Sequence, residues 1–256
     1  MDEGKRTKIE PMGLSEEWAE LSAVLCSPEF INSLANFLRK EKVKTILECA
    51  CGDGHVLSGL AGNIESGIGI DQDDYLIGCA IKNNKNKNIK YRKADLLNLD
   101  KDPILASQTF DAVICRGNSI PNIGAWGTNP ITFNPGVCQR SIEQALKQMW
   151  ARVKDGGILY VDITRQEDID KGNYRPTIKL GDVDLKGVVT LDIENKRRDV
   201  YGEGIVKDRP FKGGSSTYLI TPNELQTIIY KLINPKEIWV PTEVQDTLYQ
   251  VICVRK

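Results

Sequence analysis

Histidine is nearly missing from this chain of 256 residues, His55 being the single one. A zinc centre of the Cys/His kind and a hydrolytic triad with an imidazole base both need histidine or paired cysteines. The seven cysteines (Cys26, Cys49, Cys51, Cys79, Cys115, Cys138, Cys253) form no C-x-x-C pair, are odd in number and sit mostly in apolar runs. They read as buried thiols of a reducing compartment, with no disulfide framework and no metal site expected. A dominant charge is lacking too: 34 Lys and Arg stand against 35 Asp and Glu. Nucleic acid and anionic membranes are therefore not expected partners. No stretch approaches the roughly 20 consecutive apolar residues of a membrane span, and the first ten residues are charged where a signal peptide is apolar. The expectation is a cytoplasmic protein.

What is present is alternation. From residue 43 to 166, short β-rich runs alternate with helical patterns, which predicts βαβ units and a parallel sheet. Strands are expected at Thr45–Cys49, Gly67–Asp71, Ile89–Lys93, Phe110–Cys115 and Ile158–Ile163, each dense in Ile, Val, Leu or Tyr. Residues 1–42 read as a helical cap: Ser15 opens one helix ahead of Trp18, and beyond Pro28 a second carries Phe30, Ile31, Leu34, Phe37 and Leu38. Across residues 167–216 helical periodicity gives way to alternation through Val183, Leu185, Val189, Leu191 and Ile193, which predicts a small antiparallel insertion. Tyr174, Tyr201 and Tyr218 lie in or beside it, placed either to line a pocket or to brace strands. Residues 217–256 return to the core pattern, with Thr221-Pro222-Asn223-Glu224 opening a helix and two strands near 237–240 and 248–254 closing the sheet. The predicted fold is α/β and Rossmann-like, with a mostly parallel seven-stranded sheet.

Ligands of such sheets bind beyond the carboxyl ends of the strands, where strand order reverses. The first strand runs there into Glu48-Cys49-Ala50-Cys51-Gly52-Asp53-Gly54, whose glycines allow close backbone approach or merely satisfy a βα turn. A dinucleotide fingerprint needs a third small residue where Leu57 stands, and Asp53 puts a carboxylate where a pyrophosphate belongs. S-adenosylmethionine suits the loop better than NAD, since it has no phosphate and its ammonium matches Glu48 and nearby carbonyls. Asp71, ending the second strand just before Gln72, is placed to bond ribose hydroxyls. Asp95 after the third strand is placed to accept from an adenine amino group, with Leu96 packed on the base. Each Asp has the plainer alternative of a turn residue. His55, first on its helix, reads as a local contact.

Three segments are more specific: Glu48 to Gly54, Phe110-Asp111-Ala112-Val113-Ile114-Cys115-Arg116-Gly117-Asn118-Ser119, and Val153-Lys154-Asp155-Gly156-Gly157-Ile158-Leu159-Tyr160-Val161-Asp162. Through them, residues 43–165 resemble the class I S-adenosylmethionine-dependent methyltransferases, and within these the glycine N-methyltransferase and glycine/sarcosine methyltransferase group. The resemblance implies a cofactor site built from Trp18, Glu48, Cys49, Ala50, Gly52, Gly54, Asp71, Gln72, Asp95, Leu96, Cys115, Arg116 and Gly117. It also implies that backbone near Arg116 and Ser119 touches the cofactor while Asn118 holds the acceptor; an Asx-turn is the alternative for Asn118. The family's carboxylate-binding arginine beyond strand five is matched by Arg165, one place late in Asp162-Ile163-Thr164-Arg165. A one-residue slip reverses the face of a strand residue, so Arg165 is either a re-aimed clamp or a surface charge. The family's tyrosine-rich covering motif is not visible; Trp18 takes that place or belongs to the core.

The function implied is methyl transfer to a small molecule, an amino-acid or amine nitrogen included. Oxygen, carbon or sulfur acceptors are the alternative within small molecules, ahead of protein targets, since Gly117-Asn118-Ser119-Ile120-Pro121 stands where an Asn-Pro-Pro-Tyr-like motif would. A NAD-dependent dehydrogenase and a nonenzymatic nucleoside-binding module are the readings outside the class. Transfer from an activated sulfonium rests mainly on alignment, which agrees with a chain so poor in acid-base residues.

Overall fold

The computed structural model describes residues 26–256 apart from 126, 127, 129, 181, 207, 245 and 247. Trp18 and the helix expected at Ser15 lie outside the described residues.

Helix α1 (Pro28–Lys40) begins where Ser27 accepts a hydrogen bond from the Phe30 N–H at 3.2 Å and Pro28 fills the first turn; Arg39 and Lys40 end it against the helix dipole. It buries Phe30, Leu34, Phe37 and Leu38, one stripe at helical spacing. Then follow β1 (Thr45–Cys49), α2 (His55–Leu60), β2 (Ser66–Asp71), α3 (Asp74–Asn83), β3 (Ile89–Lys93), β4 (Phe110–Cys115), α4 (Ser119–Asn122), α5 (Pro135–Arg152), β5 (Val153–Thr164) and α6 (Gln166–Asp170). The insertion consists of β6 (Thr177–Leu180), β7 (Val183–Asp192), β8 (Arg197–Val206) and β9 (Arg209–Tyr218); α7 (Pro222–Ile233), β10 (Glu237–Trp239) and β11 (Tyr249–Arg255) complete the chain.

Seven strands form one sheet in the order β10-β11-β5-β4-β1-β2-β3. β5, β4, β1, β2 and β3 run parallel, while β11 pairs antiparallel with β5 and β10 with β11. β1 is buried nearly throughout, as a central strand covered on both faces must be. One apolar cluster fills the face under α1, α2 and α3; a second, built on α5 and α7, fills the other. β1 is flanked by β2 and β4, so strand order reverses between β1 and β4 and opens a crevice at their carboxyl ends. The mostly parallel seven-stranded Rossmann-like fold expected from the sequence is the fold observed.

β5 departs from expectation by starting at Val153, directly after α5, where Lys154-Asp155-Gly156-Gly157 reads as a turn. The strand absorbs these residues because the β4–β5 register shifts between Phe110 and Ala112. Gly157 is indispensable there: a Cβ would lie 2.7 Å from the Asp111 carbonyl oxygen.

The insertion folds as a four-stranded antiparallel sheet, β6-β7-β8-β9, around a small core of Val183, Leu185, Val206 and Phe211. β9 runs up to Tyr218, and four residues later α7 opens with a capping box in which Thr221 and Glu224 exchange hydrogen bonds. Among the described residues no helix is long and apolar enough to cross a membrane.

Candidate active site

The carboxyl ends of β1, β2, β3 and β4 surround a cavity lined by Ala50 and Gly52, by Asp71, Gln72 and Asp73, by Asp95, Leu96 and Leu97, and by Gly117, Ser119, Asn122, Ile123 and Gly124, with Ile70, Leu76 and Ala94 behind them. Three aspartates and no lysine or arginine stand among these described lining residues.

The β1–α2 loop reaches this wall in left-handed backbone, with φ of 54° at Ala50, 57° at Gly52 and 77° at Gly54. For alanine that conformation costs about 1–2 kcal/mol, strain of the sort concentrated at ligand-contacting loops. The two glycines differ in purpose. Around Gly52 nothing described lies within 4 Å of a built Cβ, so its missing side chain leaves room on the cavity side. At Gly54 a Cβ would meet the Tyr91 ring at 2.5 Å, and the Tyr91 hydroxyl donates to the Gly54 carbonyl at 2.8 Å. Gly54 therefore serves the packing of the loop on β3, and it does not line the cavity.

Asp71 holds the loop from below. One carboxylate oxygen accepts from the Gly52 N–H at 3.0 Å and the other from the Asp73 N–H at 3.0 Å. Burial raises its pKa despite these bonds. Asp73 caps α3 through the Tyr75 and Leu76 N–H groups. Asp95 caps the short turn Leu96–Asn98, accepting from the Leu97 N–H at 2.9 Å and the Asn98 Nδ2 at 2.5 Å.

Of the residues named from sequence, Ala50, Gly52, Asp71, Gln72, Asp95, Leu96 and Gly117 meet at the cavity. Glu48, Cys49, Cys115 and Arg116 do not line it; all are buried or nearly so in the layers behind it. Asn118 is 6% exposed, and its Oδ1 accepts from Thr164, at 2.8 Å from the backbone N and 3.2 Å from the hydroxyl. It thus ties the turn after β4 to the end of β5. Arg165 stands apart, donating to Glu167 and to the Asp246 carbonyl oxygen beside a groove lined by Pro241, Thr242 and Tyr249. Asn122, Ile123 and Gly124 were not legible as lining residues, since only the fold of α4 after β4 turns that segment over the crevice.

A second residue missed by sequence reading is Asp162. Fully buried on β5, it accepts from the Gly117 N–H at 2.9 Å and the Asn118 N–H at 2.6 Å, holding Asn118 at a φ of 57°. Arg116 is packed beside it: its guanidinium reaches Asp246 at 3.2 Å and Asp162 at 3.9 Å, donates to Cys26 Sγ at 2.9 Å and lies 4.0 Å from the Phe30 ring centre. Burial pushes the Asp162 carboxyl up to about 7, against the pull of Arg116. Burial likewise raises Glu48 to about 8, again opposed by Arg116, and among the described residues Glu48 Oε2 has no hydrogen-bond partner.

These raised values set the pH dependence of stability. Between the ordinary carboxyl value of 4.5 and about 8 the folded chain keeps a proton on Glu48 that the unfolded chain has released. The unfolded state then binds fewer protons than the folded one, so stability falls as pH rises through this window. Glu48→Gln removes that contribution. The fall in Tm from pH 5 to pH 8 is expected to be shallower in the variant than in the unmodified protein; parallel Tm profiles would refute the assignment.

Among the described lining residues, the cavity at the switch point of the parallel sheet thus presents carboxylates and no cations. Residues 46–126 match the family model described as a methyltransferase domain. The chain is 30% identical over 173 residues to glycine N-methyltransferase of Oryctolagus cuniculus, covering 64% of this chain and 55% of that protein. It thus spans about half the length of the curated relatives it matches. Among solved structures it is similar to an S-adenosylmethionine-dependent methyltransferase from Clostridium acetobutylicum, with a TM-score of 0.66 and 14% identity over 89% of this chain and 90% of that one. It is also similar to CalS10, an amino pentose methyltransferase from Micromonospora echinaspora, with a TM-score of 0.64 and 15% identity over 88% of this chain and 90% of that one.

Proposed function

We propose that this chain transfers the methyl group of S-adenosylmethionine to a nitrogen of a small molecule. The observation that carries the reading is the charge of the cavity wall, with Asp71, Asp73 and Asp95 present and no lysine or arginine among the described lining residues. A pyrophosphate dinucleotide would bring two negative charges against that wall, whereas a sulfonium carrying an ammonium brings positive ones. The nitrogen acceptor is suggested by the glycine N-methyltransferase to which the chain is similar.

In this reading Asp71 holds the ribose hydroxyls and Leu96 packs on the base. Ala50, Gly52 and Gly117 offer backbone to the amino-acid portion. The cofactor supplies an electrophilic methyl group: the sulfur–methyl bond breaks as the nitrogen–methyl bond forms, sulfur leaves as a neutral thioether, and the nitrogen's proton passes to solvent. The protein's part is alignment, for which well-oriented reactions gain up to roughly 7–11 kcal/mol. Asn118, anchored to Thr164 and Asp162, fixes the turn after β4 that borders the cavity. Arg165, which stands apart from the cavity, has no part in this reading.

Thermal shift with S-adenosylmethionine, S-adenosylhomocysteine and NAD is the first test, since only a ligand of the folded state raises Tm by mass action. Stabilisation by the two adenosyl compounds and not by NAD is the expected result. Mass spectrometry of mixtures with amines and with hydroxylated compounds then reads the acceptor. A Tm raised by NAD alone, or methylated products confined to hydroxyl compounds, would overturn the cofactor or the acceptor respectively.

A further inference from the structure

We infer that Asn122 recognises the amino edge of the cofactor's base through its side-chain oxygen, an inference that rests on the cavity being an S-adenosylmethionine site. Asn122 is the last residue of α4 and lines the cavity. Its Nδ2 donates to the Asn118 carbonyl oxygen at 3.0 Å. That bond fixes the orientation of the amide, because a flipped group would set two oxygens against each other. Oδ1 is left buried, with no hydrogen-bond partner among the described residues. A buried carbonyl oxygen without a donor is costly, and its natural partner is an N–H or O–H brought by a ligand.

The donors of the cofactor are few, and their places differ. Its ribose hydroxyls fall to Asp71 at the end of β2, and its ammonium to the loop after β1. Asn122 comes instead from the α4 side, where Leu96, Leu97 and Ile123 present apolar surface suited to a planar base. The donor remaining for this end of the cavity is the exocyclic amine of adenine. Asp95, the residue expected from sequence to accept from that amine, is exposed and bonded to the Leu97 N–H and the Asn98 amide, so water can satisfy its remaining lone pairs. Asn122 has an acceptor that no described group uses. Its pairing with the amine would let the cavity distinguish a 6-amino purine from other bases, since a site built around a hydrogen bond rejects the analogue that lacks it.

The test is a binding cycle by calorimetry, with S-adenosylhomocysteine and its analogue carrying hydrogen in place of the 6-amino group, on the unmodified chain and on Asn122→Ala. The unmodified protein is expected to prefer the amino compound by about tenfold, and the variant to lose most of that preference by weakening S-adenosylhomocysteine alone. Asn122→Leu, isosteric and apolar, is expected to behave alike and serves if the alanine variant does not fold. Equal weakening of both compounds would mean that Asn122 only braces α4, and an unchanged preference would mean that another group reads the amine; either overturns the inference. Absence of binding by both compounds to the unmodified protein would instead remove the cofactor reading itself, and this inference with it.

Discussion

Replacing Arg116 with methionine is expected to lower the stability of the protein by about 3–5 kcal/mol, the usual loss when one partner of a buried ion pair is removed. The guanidinium is 9% exposed and stands between Asp162 and Asp246, whose side chains are 0% and 2% exposed. Methionine fills much of the same volume and keeps contact with Phe30, so the loss isolates the charge. Without the cation, two carboxylates remain in a medium that solvates them poorly, and Asp162 must either stay protonated or strain its bonds to the Gly117 and Asn118 N–H groups. Urea unfolding of the variant measures the effect. A loss below 1 kcal/mol would show that water reaches this cluster and that the buried network described above is wrong. Arg116→Lys is expected to recover only part of the loss, because an ammonium lacks the planar fork that meets two acids and a thiol at once.

Replacing Asp71 with alanine is expected to weaken S-adenosylhomocysteine binding about a hundredfold or more. Hydrogen bonds to a charged group contribute about 1.5–3 kcal/mol each, and a ribose offers two hydroxyls to one carboxylate. The effect has an indirect component as well. Asp71 accepts from the Gly52 N–H, so its removal frees a loop whose backbone is held in left-handed conformation at Ala50 and Gly52. Asp71→Asn, which keeps one acceptor oxygen, is expected to fall between. Calorimetric dissociation constants settle the matter, and a change of less than threefold in the alanine variant would exclude Asp71 from the ribose site. A loss of binding confined to Asp95→Ala would point to a ligand seated differently in the same crevice.

How far the site was legible in the chain depends on what each residue does. Strands β1 and β4 were delimited to the residue by their apolar runs, because a parallel strand buried on both faces has little choice of side chain, and the edge strand β3 by Ile89 and Tyr91 alternating with charged residues. Asp71 and Asp95 were legible as strand-end acids, and Ala50 and Gly52 as the loop between. β8 and β9 were less legible: Gly202, Gly204, Gly213 and Gly214 interrupt the alternation that marks a half-buried strand, and only the pairing of β8 with β7 and of β9 with β8 makes them a sheet. The start of β5 was hidden by a run that imitates a turn until β4 pairs with it.

Arg116 illustrates the other limit. Sequence spacing puts it beside the cofactor loop, and its position at the end of β4 is as expected. The direction of its side chain is decided by the carboxylates that await it. Asp246, more than a hundred residues away in the chain and just ahead of β11, and Cys26, ahead of α1, meet it only when α1 packs on the sheet and β11 pairs with β5.

The order of apolar runs and the placement of acids at strand ends were sufficient to determine a parallel α/β chain whose crevice has an acidic wall. These are local properties, set by burial along a strand and by backbone freedom at single residues. Tertiary structure alone decided which polar groups are bonded within the protein: Asn118 Oδ1 and the Arg116 guanidinium hold segments together, while Asn122 Oδ1 has no hydrogen-bond partner among the described residues. That division depends on contacts between segments far apart in the chain, and no local pattern encodes them.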